Sequence, residues 1–294
     1  MDSRSSKTLR IRLNRASEGH IRKGHPWVYD QSIREQNREG LCGEYAVIYD
    51  RNNRFLAIGL YDPSSPIRIR ILHSGKPQQL DEAWWNQRLS ETVQRRTQVY
   101  DEATNGIRWI YGENDGWPGL VLDEYAKHLV IKIYSAAWLV HIDALVQQFV
   151  QHFKPKCIIL RTSRLLQDDA DIKHFPKDGQ ILYGTLTENP VTFLESSIRF
   201  KADLIQGQKT GFFLDQRENR RHVEQLSKGK SVLNLFSFSG GFSLYAARGG
   251  AKSVTSVDIS SLQFCLDSGL QPSMVLELQK IKTNHVASIF NEKL

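Results

Sequence analysis

Cysteine is scarce in this sequence, and its few positions lie far apart. The 294 residues include only Cys42, Cys157 and Cys265, with no C-x-x-C pair. An odd number of widely separated cysteines excludes a disulfide framework and provides no zinc-binding spacing, so we expect no metal site. The pattern is typical of reduced thiols, which favours a cytoplasmic protein.

Long hydrophobic segments are also missing. No apolar run approaches the roughly 18 residues that a membrane-spanning helix requires, and the first residues lack the hydrophobic stretch of a secretory signal. We therefore expect no membrane association. With 40% hydrophobic and 24% charged residues, the composition predicts a globular protein with a substantial core. The length suggests two or three domains.

Acidic residues are under-represented in the first quarter of the chain. The whole chain has a net charge of +7, and residues 1–75 contain 13 Lys and Arg against eight Asp and Glu. Such an excess attracts polyanions, because binding releases counterions from phosphates. The solvated outer face of an ordinary strand explains the same count, so charge alone leaves both interpretations open.

Alternating hydrophobicity dominates residues 7–74. In the segment TLRIRLNR, Leu9, Ile11 and Leu13 alternate with polar residues, as in a half-buried strand. Three further strand-like runs follow, at residues 43–50, 55–62 and 66–72. We predict that residues 1–75 form a small all-β barrel.

The next part of the chain mixes helical and strand patterns. The periodicity predicts an amphipathic helix over residues 81–100, followed by several strands and a helix over 137–153. This order predicts an α+β domain over residues 76–190, with a mostly antiparallel sheet and one covering helix. We expect the core of this domain to contain its tryptophans, Trp109, Trp117 and Trp138.

The last third of the chain, residues 191–294, has the order of a nucleotide-binding βαβ unit. A β-hairpin is followed by the strand SVLNLF, the turn FSFSGGFS, an Ala-rich helix and a second strand that ends at Asp258. This order predicts a parallel, doubly wound sheet of Rossmann type. Gly240 and Gly241 would let the backbone approach a ligand, and the Asp258 carboxylate would accept hydrogen bonds from ribose hydroxyls.

The turn lacks the third glycine of the G-x-G-x-x-G pattern and therefore the pyrophosphate-binding feature of an NAD site. S-adenosylmethionine, a nucleoside without phosphates, fits this turn better. Similar turns also occur in parallel sheets that bind no nucleotide, so the pattern alone leaves that alternative open.

Four segments together resemble one known family. GQKTGFFLDQRENRR (207–221), LNLFSFSGGFSLYAA, HPWVY and DGWPGLVLD are similar to segments of the bacterial large-subunit ribosomal RNA cytosine-C5 methyltransferases. The resemblance implies a multidomain α/β and α+β protein. Its parts would be an N-terminal PUA-like RNA-binding barrel, a central α+β domain and a Rossmann-type methyltransferase domain. It also implies S-adenosylmethionine as cofactor and ribosomal RNA as partner.

The resemblance assigns roles to particular residues. Those expected to bind the methyl donor are Asp215, Gln216, Phe236, Ser239, Gly240, Gly241 and Asp258. Those expected to face RNA are Lys23, His25, Trp27 and Arg217, the last of which could face the donor instead. A purely structural role is the alternative for three of these residues. Asp215 could be the N-cap of a helix over 216–224, Trp27 could belong to the barrel core, and His25 could be a hydrogen-bonded loop residue.

Past Ser260 the resemblance ends. The family continues to Asp-Pro-Pro and Pro-Cys elements that this sequence does not contain before Leu294. Methylation of cytosine C5 requires a nucleophile at C6, in enzymes of this type a cysteine thiolate, and none of the three cysteines matches that position. We therefore expect the catalytic residues beyond Leu294, an incomplete parallel sheet, and self-association through its uncovered edge.

These observations predict a ribosomal RNA methyltransferase that depends on S-adenosylmethionine and acts on cytosine C5. The alternative is a non-catalytic RNA-binding protein that uses the barrel and the central domain. An NAD-linked oxidoreductase is disfavoured by the missing glycine.

Overall fold

The structure is a computed structural model that describes residues 8–97, 102–167 and 174–258, together with the backbone of 276–280. The chain forms two compact units. The first unit comprises residues 1–100 and 108–187, and the second comprises 101–107 and 188–294.

The first unit begins with a six-stranded sheet of order β2-β6-β5-β4-β1-β3. Strand β1 pairs with β4 in parallel and with β3 in antiparallel fashion. The strands are β1 (Leu9–Leu13), β2 (Trp27–Tyr29), β3 (Ile33–Gln36), β4 (Tyr45–Tyr49), β5 (Phe55–Tyr61) and β6 (Ile67–Ser74).

The alternation predicted for β1 is confirmed. Leu9, Ile11 and Leu13 are at most 3% exposed and belong to the core of this sheet, whereas Arg10 on the opposite face is exposed. Each such aliphatic side chain contributes about 1.5–3 kcal/mol when fully buried. The register of β1 is therefore determined by its sequence, because a one-residue slip would place arginines in the core.

The prediction that residues 7–74 contain only strands is wrong, because α1 (Arg15–Arg22) follows β1 directly, whereas the predicted barrel-like sheet is present. The Asn14 side chain accepts a hydrogen bond from the Ser17 amide at 2.9 Å, which caps the first turn of the helix. Glu18, 6% exposed, accepts a hydrogen bond from the Arg51 amide at 2.9 Å and ties the helix to the β4–β5 turn. The basic Arg15 and Arg22 consequently lie on a helix and not on a strand.

Asp50 organises the β4–β5 turn. Its carboxylate is 1% exposed and accepts hydrogen bonds from the amides of Asn52 and Arg54, each at 2.9 Å, and from the Arg22 guanidinium at 2.8 Å. These bonds, the Arg54 amide foremost, lower the pKa of Asp50 to about 2.

We expect Asp50→Asn to destabilise the protein at neutral pH and much less at pH 2. A lowered pKa stabilises the folded state fully above the ordinary value of 3.8, and this contribution is lost as the pH falls through about 2. Urea unfolding of wild type and variant at pH 6 and pH 2 measures the difference. Glu35→Gln is the control, because the Glu35 side chain is 62% exposed in its pair with Arg12 and should matter little. A difference between wild type and Asp50→Asn that does not change with pH would contradict this account.

The second sheet of this unit has five strands in the order β11-β10-β9-β8-β7. Its strands are β7 (Gly106–Tyr111), β8 (Leu120–Tyr125), β9 (His128–Ile133), β10 (Cys157–Thr162) and β11 (Ile181–Gly184). The helices of the unit after α1 are α2 (Glu82–Gln94), α3 (Ile142–Phe153) and α4 (Arg164–Gln167). Strands β8 and β9 are antiparallel, as are β10 and β11, while β9 and β10 are parallel.

Trp109, Trp117 and Trp138 are at most 6% exposed, which confirms the prediction that they are core residues.

The second unit combines a hairpin with a parallel sheet. Its strands are β12 (Val191–Glu195), β13 (Ile198–Ala202), β14 (Ser231–Leu235), β15 (Ser253–Asp258) and β16 (Leu276–Lys280). Its helices are α5 (Arg217–Leu226) and α6 (Gly241–Arg248). The predicted hairpin turn is confirmed, since Ser196 and Ser197 both have positive φ, as in a type I′ turn.

The predicted βαβ unit is also confirmed, because β14 and β15 are parallel and α6 connects them. Strand β16 continues the sheet in parallel next to β15, although the sequence pattern predicted no strand there. Cys265 and Pro272 lie outside the described residues. Among the described helices, none is long and apolar enough to cross a membrane.

Candidate nucleoside site and basic groove

The loop between β14 and α6, residues 236–240, is the most unusual backbone segment of the second unit. Phe236 and Phe238 have φ of +55° and +49°, and Gly240 has φ of +75°. A positive φ costs a non-glycine residue roughly 1–2 kcal/mol, so the surrounding structure must hold this loop in place. Such strain is concentrated at functional sites.

Two residues of β15 hold the loop. The Ser237 amide donates to the Val257 carbonyl oxygen at 3.1 Å, and the Phe238 amide donates to Oδ2 of Asp258 at 2.8 Å. The predicted ribose-binding acid therefore lies directly beneath the glycine turn. Its carboxylate both shapes the loop and lies where a ligand of the loop would meet it.

Ser237 provides a second indication of a ligand. The residue is 5% exposed, and its Oγ has no hydrogen-bond partner in the described part of the chain. An unsatisfied buried polar group costs about 1–3 kcal/mol, which a ligand atom would relieve. The neighbouring Phe236 is 69% exposed, an unusual state for a phenylalanine beside a sheet. The sequence analysis missed Ser237, whose only signal was its place in the same turn.

The predicted segment TGFFLDQR lies beside this loop. The rings of Phe213 and Phe238 pack edge to face with centroids 5.0 Å apart. Asp215 is exposed, and the half-buried Gln216 accepts a hydrogen bond from Asn219 at 2.9 Å. The alternative of Asp215 as a helix N-cap is wrong, because α5 begins at Arg217 with Gln216 at the N-cap position and no side-chain capping bond.

Other predicted donor residues form the end of the same loop. Gly240 and Gly241 are buried, and Ser239 is partly buried between them and the exposed Phe236. The Gly240 amide donates to the Ser237 carbonyl oxygen at 2.8 Å, which closes a tight turn before α6. The positive φ of Gly240 explains why glycine is needed there. Arg217 makes an ion pair with Glu218 at 3.0 Å.

A buried ion pair that the sequence analysis did not predict stabilises the segments next to the β14–α6 loop. Arg220 binds both carboxylate oxygens of Glu195, at 2.8 and 2.6 Å, and both side chains are at most 3% exposed. A third Arg220 nitrogen donates to the Phe213 carbonyl oxygen at 3.1 Å. Arg220 therefore links the hairpin to the TGFFLDQR segment.

Tyr245 of α6 completes this cluster. Its hydroxyl donates to Oε1 of Glu195 at 3.0 Å, and burial raises the pKa of Tyr245 to about 12, so the phenol remains a proton donor. The Arg220 guanidinium also lies 4.7 Å from the centre of the Phe212 ring. The hairpin, the TGFFLDQR segment and α6 are thus held together by one hydrogen-bonded network.

Predicted RNA-facing residues in the first unit line a groove of about 610 Å³. The residues around it are Ser17, His20, Lys23, Gly24, His25, Trp27, Tyr29 and Ser32. Lys23 is exposed, and Trp27 is half-buried at the rim, so Trp27 is not a barrel core residue. The His25 ring nitrogen Nδ1 lies 3.0 Å from the Trp27 carbonyl oxygen, so this histidine does have a local partner.

The cysteine of β10 lacks the properties of a nucleophile. Cys157 is fully buried in β10, and burial raises its pKa to about 11, so the thiolate is not formed at neutral pH. Cys42 is partly buried in the β3–β4 connection. No cluster of metal-binding side chains occurs among the residues that the structure describes.

Comparison with known families defines the class of both units. Residues 11–74 match the family described as a PUA-like domain, and residues 179–269 match the family described as an S-adenosylmethionine-dependent methyltransferase. Residues 11–74 are thus similar to PUA-like domains, and residues 179–269 are similar to methyltransferases that use S-adenosylmethionine. The predicted fold class and the predicted cofactor are confirmed.

Two curated relatives carry names that refer to ribosomal RNA. A protein of Deinococcus radiodurans named "Ribosomal RNA large subunit methyltransferase" is 56% identical over 263 residues, which cover 87% of this chain and 64% of the relative. "Ribosomal RNA large subunit methyltransferase I" of Pseudoalteromonas translucida is 33% identical over 254 residues, covering 86% and 63%. The chain thus spans somewhat less than two thirds of the length of these relatives.

Solved structures confirm the fold. An S-adenosylmethionine-dependent methyltransferase from Streptococcus mutans aligns with a TM-score of 0.79 at 20% identity, over 97% of this chain and 74% of the other. A methyltransferase complexed with S-adenosylhomocysteine (SAH) aligns with a TM-score of 0.80 at 20% identity, over 97% and 73%.

Proposed function

We propose that this protein is an S-adenosylmethionine-dependent methyltransferase that modifies cytosine C5 in large-subunit ribosomal RNA. The observation that carries the proposal is the strained β14–α6 loop, held by Asp258 and containing the unpartnered Ser237 hydroxyl. The similarity of the chain to proteins named for methylation of large-subunit ribosomal RNA supports the choice of substrate. Resemblance in the TGFFLDQR and SGGFS segments supports cytosine C5.

The residues present fit the donor. Asp258 would accept hydrogen bonds from the ribose hydroxyls in addition to the Phe238 amide, since a carboxylate has about four acceptor sites. The Ser237 hydroxyl would gain its missing partner, and the exposed Phe236 ring would cover the nucleoside. Asp215 and Gln216 would close over the ligand from the neighbouring segment. The bound donor supplies a methyl group on a cationic sulfur.

RNA recognition is assigned to the basic groove of the first unit. Lys23 would contact phosphate, and His25 and Trp27 would contact a base or sugar at its rim. Arg217 in the second unit would face RNA or the donor. The proposal places the PUA-like barrel at residues 1–75, the central domain at 76–190 and the methyltransferase domain at 191–294, with ribosomal RNA in the cytoplasm as the substrate.

Methylation at C5 also needs a nucleophile that attacks C6 of the base. Cys157 does not meet this requirement, because its thiol is buried and protonated. The proposal accordingly assigns no nucleophile among the described residues.

Calorimetric titration with S-adenosylmethionine and SAH tests the donor site. We expect Asp258→Ala to weaken binding by roughly 10- to 100-fold, because one charge-assisted contact contributes about 1.5–3 kcal/mol. Asp258→Asn should weaken binding less, since its amide oxygen can still accept the Phe238 N–H bond that shapes the loop. Equal affinity of wild type and Asp258→Ala would refute this site.

A transfer assay with labelled donor and unmodified large-subunit ribosomal RNA tests the reaction. Label recovered in 5-methylcytosine supports the full proposal. Donor binding and RNA binding without transfer would favour the alternative, a non-catalytic RNA-binding protein.

A further inference from the structure

Two exposed tyrosines lie at one end of the second sheet of the first unit. Tyr111 is the last residue of β7 and is 45% exposed, and Tyr134 directly follows β9 and is 42% exposed. Large aromatic rings exposed to this extent are uncommon next to a well-packed sheet and are frequent at recognition surfaces.

The chain path brings both tyrosines to the same end of the sheet. A short connection joins the end of β7 to the start of β8 at Leu120, and Leu120 pairs with Ile133 at the end of β9. The Tyr134 amide donates to the Gly119 carbonyl oxygen at 2.9 Å, in that same connection. Tyr111 and Tyr134 therefore lie at one end of three adjacent strands.

Arg108 lies close to both tyrosines. Its guanidinium is 5.2 Å from the centre of the Tyr111 ring, and it contributes with Asp123 and Tyr111 to the electrostatic environment of the Tyr134 phenol. Burial nevertheless raises the pKa of Tyr134, so this ring is uncharged at neutral pH.

Rigid contacts hold this surface in one conformation. The Tyr111 amide donates to Asp115 at 2.7 Å, and Arg96 binds both oxygens of Asp115, at 2.9 and 2.6 Å. Arg108 in turn binds both oxygens of the fully buried Asp123, at 2.8 and 2.9 Å. A pre-organised aromatic surface loses little conformational entropy when it binds a ligand.

One hydrogen bond links the segment that follows Tyr111 to the basic groove. The indole nitrogen of Trp27, at the rim of that groove, donates to Oε1 of Glu113 at 2.8 Å. Glu113 is only two residues beyond Tyr111 in the chain. The rim of the groove and the segment that carries Tyr111 are therefore in direct contact.

We propose that Tyr111 and Tyr134, with Arg108 beside them, form a stacking platform for unpaired bases of the RNA substrate. This inference rests on the proposed function, since it concerns the same RNA. Stacking suits this surface because the charge of Arg108 is balanced by Asp123, so the platform attracts phosphate weakly while its ring faces remain available. Unpaired bases are required, because paired bases hide their faces in the helix.

The test uses the full chain and a short fluorescein-labelled single-stranded RNA from the large subunit, with anisotropy measured over a range of salt concentrations. Replacing both Tyr111 and Tyr134 by alanine should weaken binding by about 25-fold or more, because each of the two stacked bases contributes about fivefold or more. The slope of log affinity against log salt should not change, since no phosphate contact is lost. Lys23→Ala should instead reduce that slope by about 0.7, the value for one phosphate of a single strand.

Two control variants show whether a loss of RNA binding is due to the rings of Tyr111 and Tyr134. Phenylalanine at both positions should preserve binding, because it retains the ring. Tyr183→Ala should have no effect: Tyr183 is 41% exposed on β11, at the opposite edge of the same sheet. Unfolding midpoints confirm that each variant is folded.

The outcomes separate this inference from the function on which it rests. Wild-type binding that the double alanine variant leaves intact would overturn the platform but not the RNA proposal. A changed salt slope in that variant would mean a phosphate contact and would also overturn stacking. Failure of the wild type to bind the RNA would overturn both.

Discussion

Replacing Arg220 with methionine is expected to destabilise the second unit by about 3–5 kcal/mol, because the variant leaves the Glu195 carboxylate buried without its partner. Glu195 is fully buried, and Arg220 supplies two of its hydrogen bonds. The loss should also loosen the TGFFLDQR segment, since Arg220 donates to the Phe213 carbonyl oxygen. Hydrogen exchange over residues 191–258 of the full chain measures the local free energy of opening.

A double variant separates the buried charge from simple loss of packing. Arg220→Met combined with Glu195→Met removes both charges, and it should recover much of the stability that Arg220→Met loses. Tyr245→Phe should cost less, since it removes only the hydroxyl bond to Glu195. An Arg220→Met variant with unchanged exchange would show that the ion pair does not hold the hairpin to α5.

Gly240→Val is expected to abolish donor binding and to distort the β14–α6 loop. At a φ of +75° a β-branched side chain is strongly disfavoured, so the chain must leave this conformation and break the Gly240 bond to Ser237. The loop would then no longer present Ser237 and Phe236 above Asp258. Calorimetry with S-adenosylmethionine and thermal unfolding measure the two effects.

Gly240→Asn is the matched control, because asparagine tolerates positive φ far better than valine does. This variant should unfold close to the wild-type temperature, and its donor affinity shows whether a side chain at position 240 obstructs the ligand. If Gly240→Val binds the donor as well as wild type, the loop is not the donor site.

Strands and turns were predictable where the pattern is local. The β1 alternation, the Ser196–Ser197 turn and the βαβ order follow from hydrophobic period and turn preference, which act over a few residues. Helix α1 was missed because its residues continue a basic, strand-like pattern, and the deciding signal was the single capping residue Asn14. Strand β16 was missed because its place beside β15 depends on tertiary pairing.

Some residues of the candidate site were identified from the sequence, and others only from the structure. Gly240 and Asp258 were identified from sequence because the glycine turn and the strand-end acid have a fixed spacing, and the TGFFLDQR segment was identified by its resemblance to a known family. Ser237 was not, since its importance depends on burial without a partner.

The sequence by itself determined the order of the βαβ unit, the glycine turn with its strand-end acid, and the basic character of the first quarter, because these depend on neighbouring residues. Only the tertiary structure decided that Glu195 pairs with Arg220 and that Asp258 accepts a hydrogen bond from the Phe238 amide. It also decided that Tyr111 and Tyr134 lie at the same end of one sheet. Each of these contacts joins residues on separate elements. Their proximity results from how strands pair and helices pack, which local sequence patterns do not encode.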